Sequence, residues 1–210
     1  MGFSPDGRLL ASAGRDSTAL VWDLTGKPGG PSKPLAANEL AAAWADLASE
    51  DAGRAYQAIC RLAAAPDEAL PYLRKHIRPV APVDEKRVAR LIADLDSDEF
   101  AMREKAADEL DKLGERAAGA VRQALAGRPS AEPRRRLEAL LDKQAAEEWG
   151  PSADRLRSVR ALEVLERVST PEAKKLLAEL AKGAPEAWLT REAKAALDRI
   201  NKQPDSREER

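Results

Sequence analysis

The sequence predicts a mainly α-helical protein that opens with a short β-hairpin. Three observations carry this reading. The 210 residues include 42 alanines, with 34% charged and only 4% aromatic residues. Alanine is the best helix former, so such a composition leans strongly helical. The pattern also changes sharply near residue 35, from strict alternation to helix caps and helical spacing. Beyond that point, blocks with apolar residues at i, i+4 and i+7 recur along the chain.

Residues 1–24 read as β structure. Ser4-Pro5-Asp6-Gly7 is a turn, because Pro presets φ and Gly accepts a positive φ. Leu9, Ala11 and Ala13 alternate with Leu10, Ser12 and Gly14 in one strand. After a second turn at Arg15-Asp16-Ser17, Ala19, Val21 and Asp23 alternate with Leu20, Trp22 and Leu24 in another. Two strands alone are marginal in water, so the hairpin needs a completing partner. Residues 25–37 form a Gly/Pro linker without core residues.

Residues 38–201 read as one helical domain, with a charged, frayed tail over 202–210. Asn38 caps a helix over 39–48, and Ser49 caps one over 50–64. Pro66-Asp67-Glu68 opens the next, which ends near Arg78-Pro79. Asp84 caps 85–94, and Ser97 caps 98–113, which Gly114 stops. A helix over 115–126 ends at Gly127, and Ser130 caps 131–146. After Gly150-Pro151-Ser152 comes 153–168; Thr170 caps 171–182, with Pro171 at the favoured first position. Thr190 caps the last helix, to Asn201.

These helices repeat. A shift of 48 takes Ala58, Leu62, Leu73 and Ile77 to Ala106, Leu110, Val121 and Leu125. A shift of 55 takes Ala106, Ala107, Leu110, Leu113 and Val121 to Ala161, Leu162, Leu165, Val168 and Leu176. Each block is a helical hairpin that buries its face only against neighbours, the signature of an α-solenoid. The repeat is degenerate, and a compact irregular bundle is the alternative.

Composition excludes several functions. Lys+Arg is 35 and Asp+Glu 36, for a net charge of −1, which argues against a general nucleic-acid or anionic-membrane binder. The single Cys60 excludes an internal disulfide and a cysteine metal cluster, and the single His76 excludes a His-rich metal site and disfavours a Ser-His-Asp triad. There is no run of 18 apolar residues to span a membrane and no signal-peptide pattern, so the expected location is cytoplasmic. No Gly-rich phosphate loop, nucleophile elbow or metal-binding helix motif occurs. No cofactor, metal or small-molecule substrate is therefore expected, and the chain is not read as an enzyme.

Two resemblances follow from residues already quoted. Phe3 to Asp16 (FSPDGRLLASAGRD), with Ala19-Leu20-Val21-Trp22-Asp23-Leu24, resembles the inner-to-middle part of a WD repeat. In that family a turn Asp, a Trp, a strand Ser/Thr and a His from the preceding loop form a hydrogen-bond network within one blade. Asp16, Trp22 and Ser12 match those roles and Asp23 the position after the Trp, while the His would lie before residue 1. The resemblance implies structural roles and the C-terminal end of a longer WD-repeat protein, or else a false start in the gene. The helical part resembles HEAT-like repeats through Leu95-Asp96-Ser97-Asp98-Glu99-Phe100-Ala101-Met102-Arg103-Glu104-Lys105-Ala106-Ala107. The second block departs: Arg157 and Arg160 are kept, but the preceding Asp is not. Together these imply a right-handed, HEAT-like α-solenoid after an incomplete propeller blade, as in the tails of large WD-repeat proteins of planctomycete-type bacteria.

Candidate site residues are few. His76, at a helix C-terminus, suits the helix dipole, and Cys60, beside Ile59, Leu62 and Ala63, reads as a small core residue. Asp94, Asp96, Asp98 and Glu99 cluster at one turn, where capping explains them more simply than a hard cation. Arg134, Arg135 and Arg136 open a helix against its dipole and could contact a partner, although Glu132, Glu138 and Asp142 offset them. Trp44, Tyr56, Tyr72, Phe100 and Trp188 are expected mostly to fill gaps in the Ala-rich core, and Trp149, beside a Gly-Pro break, could anchor a partner. The expected function is a non-catalytic protein-protein interaction or scaffold module with a protein partner. The alternatives are a nucleic-acid-binding solenoid and a structural tail that caps a propeller.

Overall fold

The computed structural model describes residues 2–3, 9–13, 19–23, 34–149 and 152–202. Three short strands, β1 (Gly2–Phe3), β2 (Leu9–Ala13) and β3 (Ala19–Asp23), form an antiparallel sheet in the order β1-β2-β3. Leu10 faces Trp22 and Ser12 faces Leu20 across β2 and β3. The expected hairpin therefore gains a third strand, in which Gly2 and Phe3 pair with Ala11 and Leu10. Of the strand residues whose burial is described (2–3 and 9–12), none belongs to either hydrophobic core described below, and Phe3 is 70% exposed. The two expected turns and most of the Gly/Pro linker lie outside the described residues.

From Ala37 the described chain is helical. The helices are α1 (Ala37–Asp46), α2 (Ala52–Ala64), α3 (Pro66–His76), α4 (Glu85–Asp94) and α5 (Phe100–Leu113). After a 3₁₀ turn over Gly114–Ala117 come α6 (Ala118–Ala126), α7 (Ala131–Trp149), α8 (Ala153–Val168), α9 (Pro171–Leu180) and α10 (Trp188–Lys202). Asp84 and Thr170 cap as expected, accepting the N–H of Lys86 (3.0 Å) and Ala173 (3.3 Å), and Ser152, read only as part of a break, caps α8 by accepting the N–H of Arg155 (3.2 Å).

Other caps differ from expectation. Asp51, not Ser49, caps α2, because its Oδ1 takes the N–H of both Gly53 (2.8 Å) and Arg54 (3.1 Å). Asn38 lies inside α1; the orphan N–H of Ala36 is taken by Glu39 Oε2 at 2.9 Å. Ser97 bonds the N–H of Glu99, so α5 starts later than expected. The Ser130 hydroxyl donates to Asp96 Oδ1 (2.6 Å), which ties the start of α7 to the α4–α5 turn. Thr190 lies inside α10 and is fully buried, so it caps nothing.

The helices build two cores. One is formed by α1–α3 together with α8–α10: Leu47, Leu62 and Leu73 meet Leu162, Leu165 and Leu177. The other belongs to α4–α7 and holds Val88, Leu95, Leu110, Val121 and Leu137. The lobe α4–α7 is thus inserted between two halves of the other lobe, and α2 packs directly on α8. In a solenoid stacked strictly in sequence, α5 would lie between them.

The sequence repeat survives as a burial pattern and extends further than the hairpins. Leu40, Ala43 and Leu47 of the α1 region are buried, and so are Val88, Leu91 and Leu95, each 48 positions later. Ala58, Leu62, Ala69 and Leu73 correspond in the same way to Ala106, Leu110, Ala117 and Val121, all buried. The units α1–α3 and α4–α6 therefore share one pattern. The large rings do not fill these cores: Tyr56 is 45% and Phe100 65% exposed, and Trp44, Tyr72 and Trp188 are half-buried at the margins. Trp44, Tyr72 and Trp188 nonetheless pack against the first core from its edge.

Candidate functional site

The two lobes meet at the loop between α9 and α10. That loop also docks on the α3–α4 connection of its own lobe, where Gly183 approaches the backbone of Val80, a residue packed on the first core, and the N–H of Ala184 donates to Val80 O at 2.7 Å. Arg122 of α6 pairs with Glu186 (2.9 Å). The N–H of Trp188, an orphan donor in the first turn of α10, is satisfied across the joint by Glu115 Oε2 at 2.8 Å. A carboxylate there also complements the helix dipole. Polar contacts thus carry much of the joint, whereas each lobe has its own apolar core.

Beside this joint lies a cleft of about 750 Å³. Its walls come from the end of α5, the 3₁₀ turn, the middle of α7 and the first turns of α8 and α10. Six cations (Lys112, Arg116, Arg122, Lys143, Arg155 and Arg191) and five carboxylates (Asp111, Glu115, Asp142, Asp154 and Glu186) line it. Several are paired: Lys143 with Asp111 (2.7 Å), Arg122 with Glu186, and Asp154 with Arg157 outside the cleft (2.6 Å). Arg116 donates to Leu113 O at 3.1 Å. The Arg155 guanidinium lies 5.0 Å from the centre of the Trp188 ring, a cation–π contact. Arg155 and Arg191 have no ion pair among the described residues.

The residues singled out in the sequence lie elsewhere, at separate places. Ser12, Trp22 and Asp23 are on the sheet, while Asp16 and the side chains of Trp22 and Asp23 lie outside what is described. The arginine run is engaged locally. Arg136 bridges Glu132 (2.8 Å) and Glu104 of α5 (2.7 Å), Arg135 lies 3.7 Å from Glu132, and Arg134 reaches Pro129 O. The bond from Arg136 holds the Glu132 carboxyl below the usual carboxylate range. Trp149 ends α7, with its side chain outside the described residues.

His76 ends α3 as expected, with Nδ1 2.8 Å from Tyr72 O and its ring stacked on Tyr72 at 4.0 Å. Cys60 is half-exposed rather than buried in the core, with its Sγ 4.0 Å from Arg167 Nη1. In the acidic turn Asp96 serves Ser130, and among the described residues no group of three or more His, Cys, Asp or Glu is placed to hold a metal. Sequence reasoning missed the cleft itself. Trp188 and Arg191 lie one turn apart on α10, and Arg155 comes from the start of α8; the packing of α8 on α10 brings them together, a tertiary contact that local spacing does not show.

Comparison with family models, curated proteins and solved structures returns no match. No helix among the described residues is long and apolar enough to cross a membrane.

Proposed function

We propose that this chain is a non-catalytic protein-binding module of HEAT-like, α-solenoid ancestry, forming the C-terminal part of a longer WD-repeat protein. The observation that carries the proposal is the shared burial pattern of α1–α3 and α4–α6, which is what a repeat-built binding domain needs. Insertion of the second lobe gives the repeat array a cleft in place of a simple curved face. Exposed Phe3, with the three short strands, supports the reading of the sheet as part of a blade completed by further strands.

Two experiments test this. Sequencing the transcript across the codon for Met1 should reveal an in-frame upstream region encoding further turn-Asp-Gly and Trp-Asp repeats; a stop codon shortly upstream would remove the propeller half of the proposal. Photo-cross-linking from positions on the cleft rim, in the native cells, should trap a discrete protein partner. Cross-links to nucleic acid alone would favour the nucleic-acid-binding alternative.

A further inference from the structure

Resting on that reading, we infer that the inter-lobe cleft is the docking site and that its partner is an acidic peptide segment, held by Arg155, Arg191 and the Trp188 face. Charge complementarity is the argument. Of the cleft carboxylates, Asp111, Glu186 and Asp154 already have cation partners, and Glu115 accepts the Trp188 N–H. On the wall formed by α8 and α10, Arg155 and Arg191 are left without an ion pair among the described residues, as are Lys112 and Arg116, which bonds only backbone carbonyls, elsewhere in the lining. Arg155 is half-buried and lies against the Trp188 ring, which fixes its planar fork before any ligand arrives. A guanidinium so placed suits bidentate recognition of a carboxylate.

A peptide fits this lining better than a nucleic acid. Carboxylates are interleaved with the cations all round the cleft, and they would repel a phosphate at every step of a continuous backbone. A peptide can instead space its own carboxylates to meet Arg155 and Arg191 and leave neutral residues opposite Asp142. The half-buried Trp188 adds apolar area beside the charged contacts, as interface anchors do.

The test uses the whole chain and a fluorescein-labelled peptide of alternating Glu and Ala, read by anisotropy. Binding is expected with a Kd on the order of 10–100 μM, weakening as salt is raised. The matching Gln peptide should bind at least about tenfold more weakly. Two variants isolate the site. Arg191→Glu alters an exposed residue and should leave the helical circular-dichroism signal unchanged. Arg155→Met keeps an apolar stem over Trp188 and removes only the charge. Each should weaken the Glu peptide about tenfold or more. Equal binding of Glu and Gln peptides, or full binding by both variants, would overturn the assignment, and so would preferential binding of a short DNA duplex. If the trapped partner of the native protein still cross-links to Arg191→Glu and Arg155→Met as strongly as to the unaltered chain, the cleft assignment falls while the binding-module reading stands. Loss of any trapped partner in the unaltered chain would sink the module reading itself.

Discussion

Single residues hold the turns of this protein in three distinct ways. Gly183 is a matter of space: a Cβ there would lie 2.5 Å from Thr190 Oγ1 and 3.0 Å from the Val80 backbone. Gly114 is a matter of conformation, with φ at 57° and nothing within 4 Å of an added Cβ. Gly114→Ala should therefore cost about 1–2 kcal/mol of strain. Gly183→Ala should cost more, because backbone cannot swing aside as a side chain can, and it should loosen the seat of the α9–α10 loop on Val80 as well. Urea unfolding midpoints of the two variants would rank them; a milder effect at Gly183 would show that the loop does not dock closely on Val80. Arg160 works by hydrogen bonding. Its Nη1 donates to Leu47 O (2.7 Å) and Ser49 O (2.6 Å), so α8 closes the α1–α2 turn. Arg103 does the same for the corresponding α4–α5 turn through Ser97 O and Asp98 O. Arg160→Ala should destabilise by about 1–3 kcal/mol, since it leaves two carbonyls without this donor, and Arg160→Lys should restore only part of that.

Between elements, ion pairs lace the exposed edges of helices that already share an apolar core. Arg136 joins α7 to α5 through Glu104, and Arg87 joins α4 to α5 through Glu109 (2.9 Å). Hydrogen bonds from Arg87 and Arg136 lower the carboxyls of Glu109 and Glu132 below their ordinary 4.5. A lowered folded-state value gives stability that is present above the unfolded value and is lost as pH falls through the folded one. Stability should thus drop as pH falls through and below the ordinary carboxylate range, and Arg87→Met with Arg136→Met should flatten that acid limb in a pH series of unfolding midpoints. Both carboxylates are exposed, so added salt should shrink the difference. The helices themselves were largely legible from the sequence. Asp84, Thr170 with Pro171, Gly114 and Gly127 are local signals, and they mark the ends of α4, α9, α5 and α6 closely. Misplaced ends arose where a competing group was in reach. Asp51 outbids Ser49 for the α2 donors, and Glu115, from another lobe, takes the first donor of α10 in place of Thr190. The aromatic side chains stand at the margins because aliphatic residues, Leu, Ala, Ile and Val, make up both cores, which local spacing does not show.

At the scale of the molecule, the repeat was legible but its stacking order was not. Apolar spacing says which face of a helix is buried, yet α2 could bury the same face on α5 or on α8. The structure selects α8, and the candidate cleft exists only because of that choice. Leu165 and Leu137 are fully buried, one in each lobe. Truncating either to Ala should cost about 2–5 kcal/mol. Amide hydrogen exchange should then show Leu137→Ala raising rates chiefly in α4–α7, and Leu165→Ala chiefly in α1–α3 and α8–α10. Uniform acceleration by both would mean that the polar joint couples the lobes into one cooperative unit. The interrupted lobe also sets a timetable for the newborn chain. At roughly 5–20 residues per second, α1–α3 leave the ribosome many seconds before α8–α10 exist to cover Leu47, Leu62 and Leu73. The middle lobe, drawn from one unbroken stretch, can finish first. During that interval the oldest part of the polypeptide is the least sheltered, so the cell's holdase chaperones should find their target on α1–α3, and a slow codon tract within α4–α7 should prolong the exposure rather than relieve it.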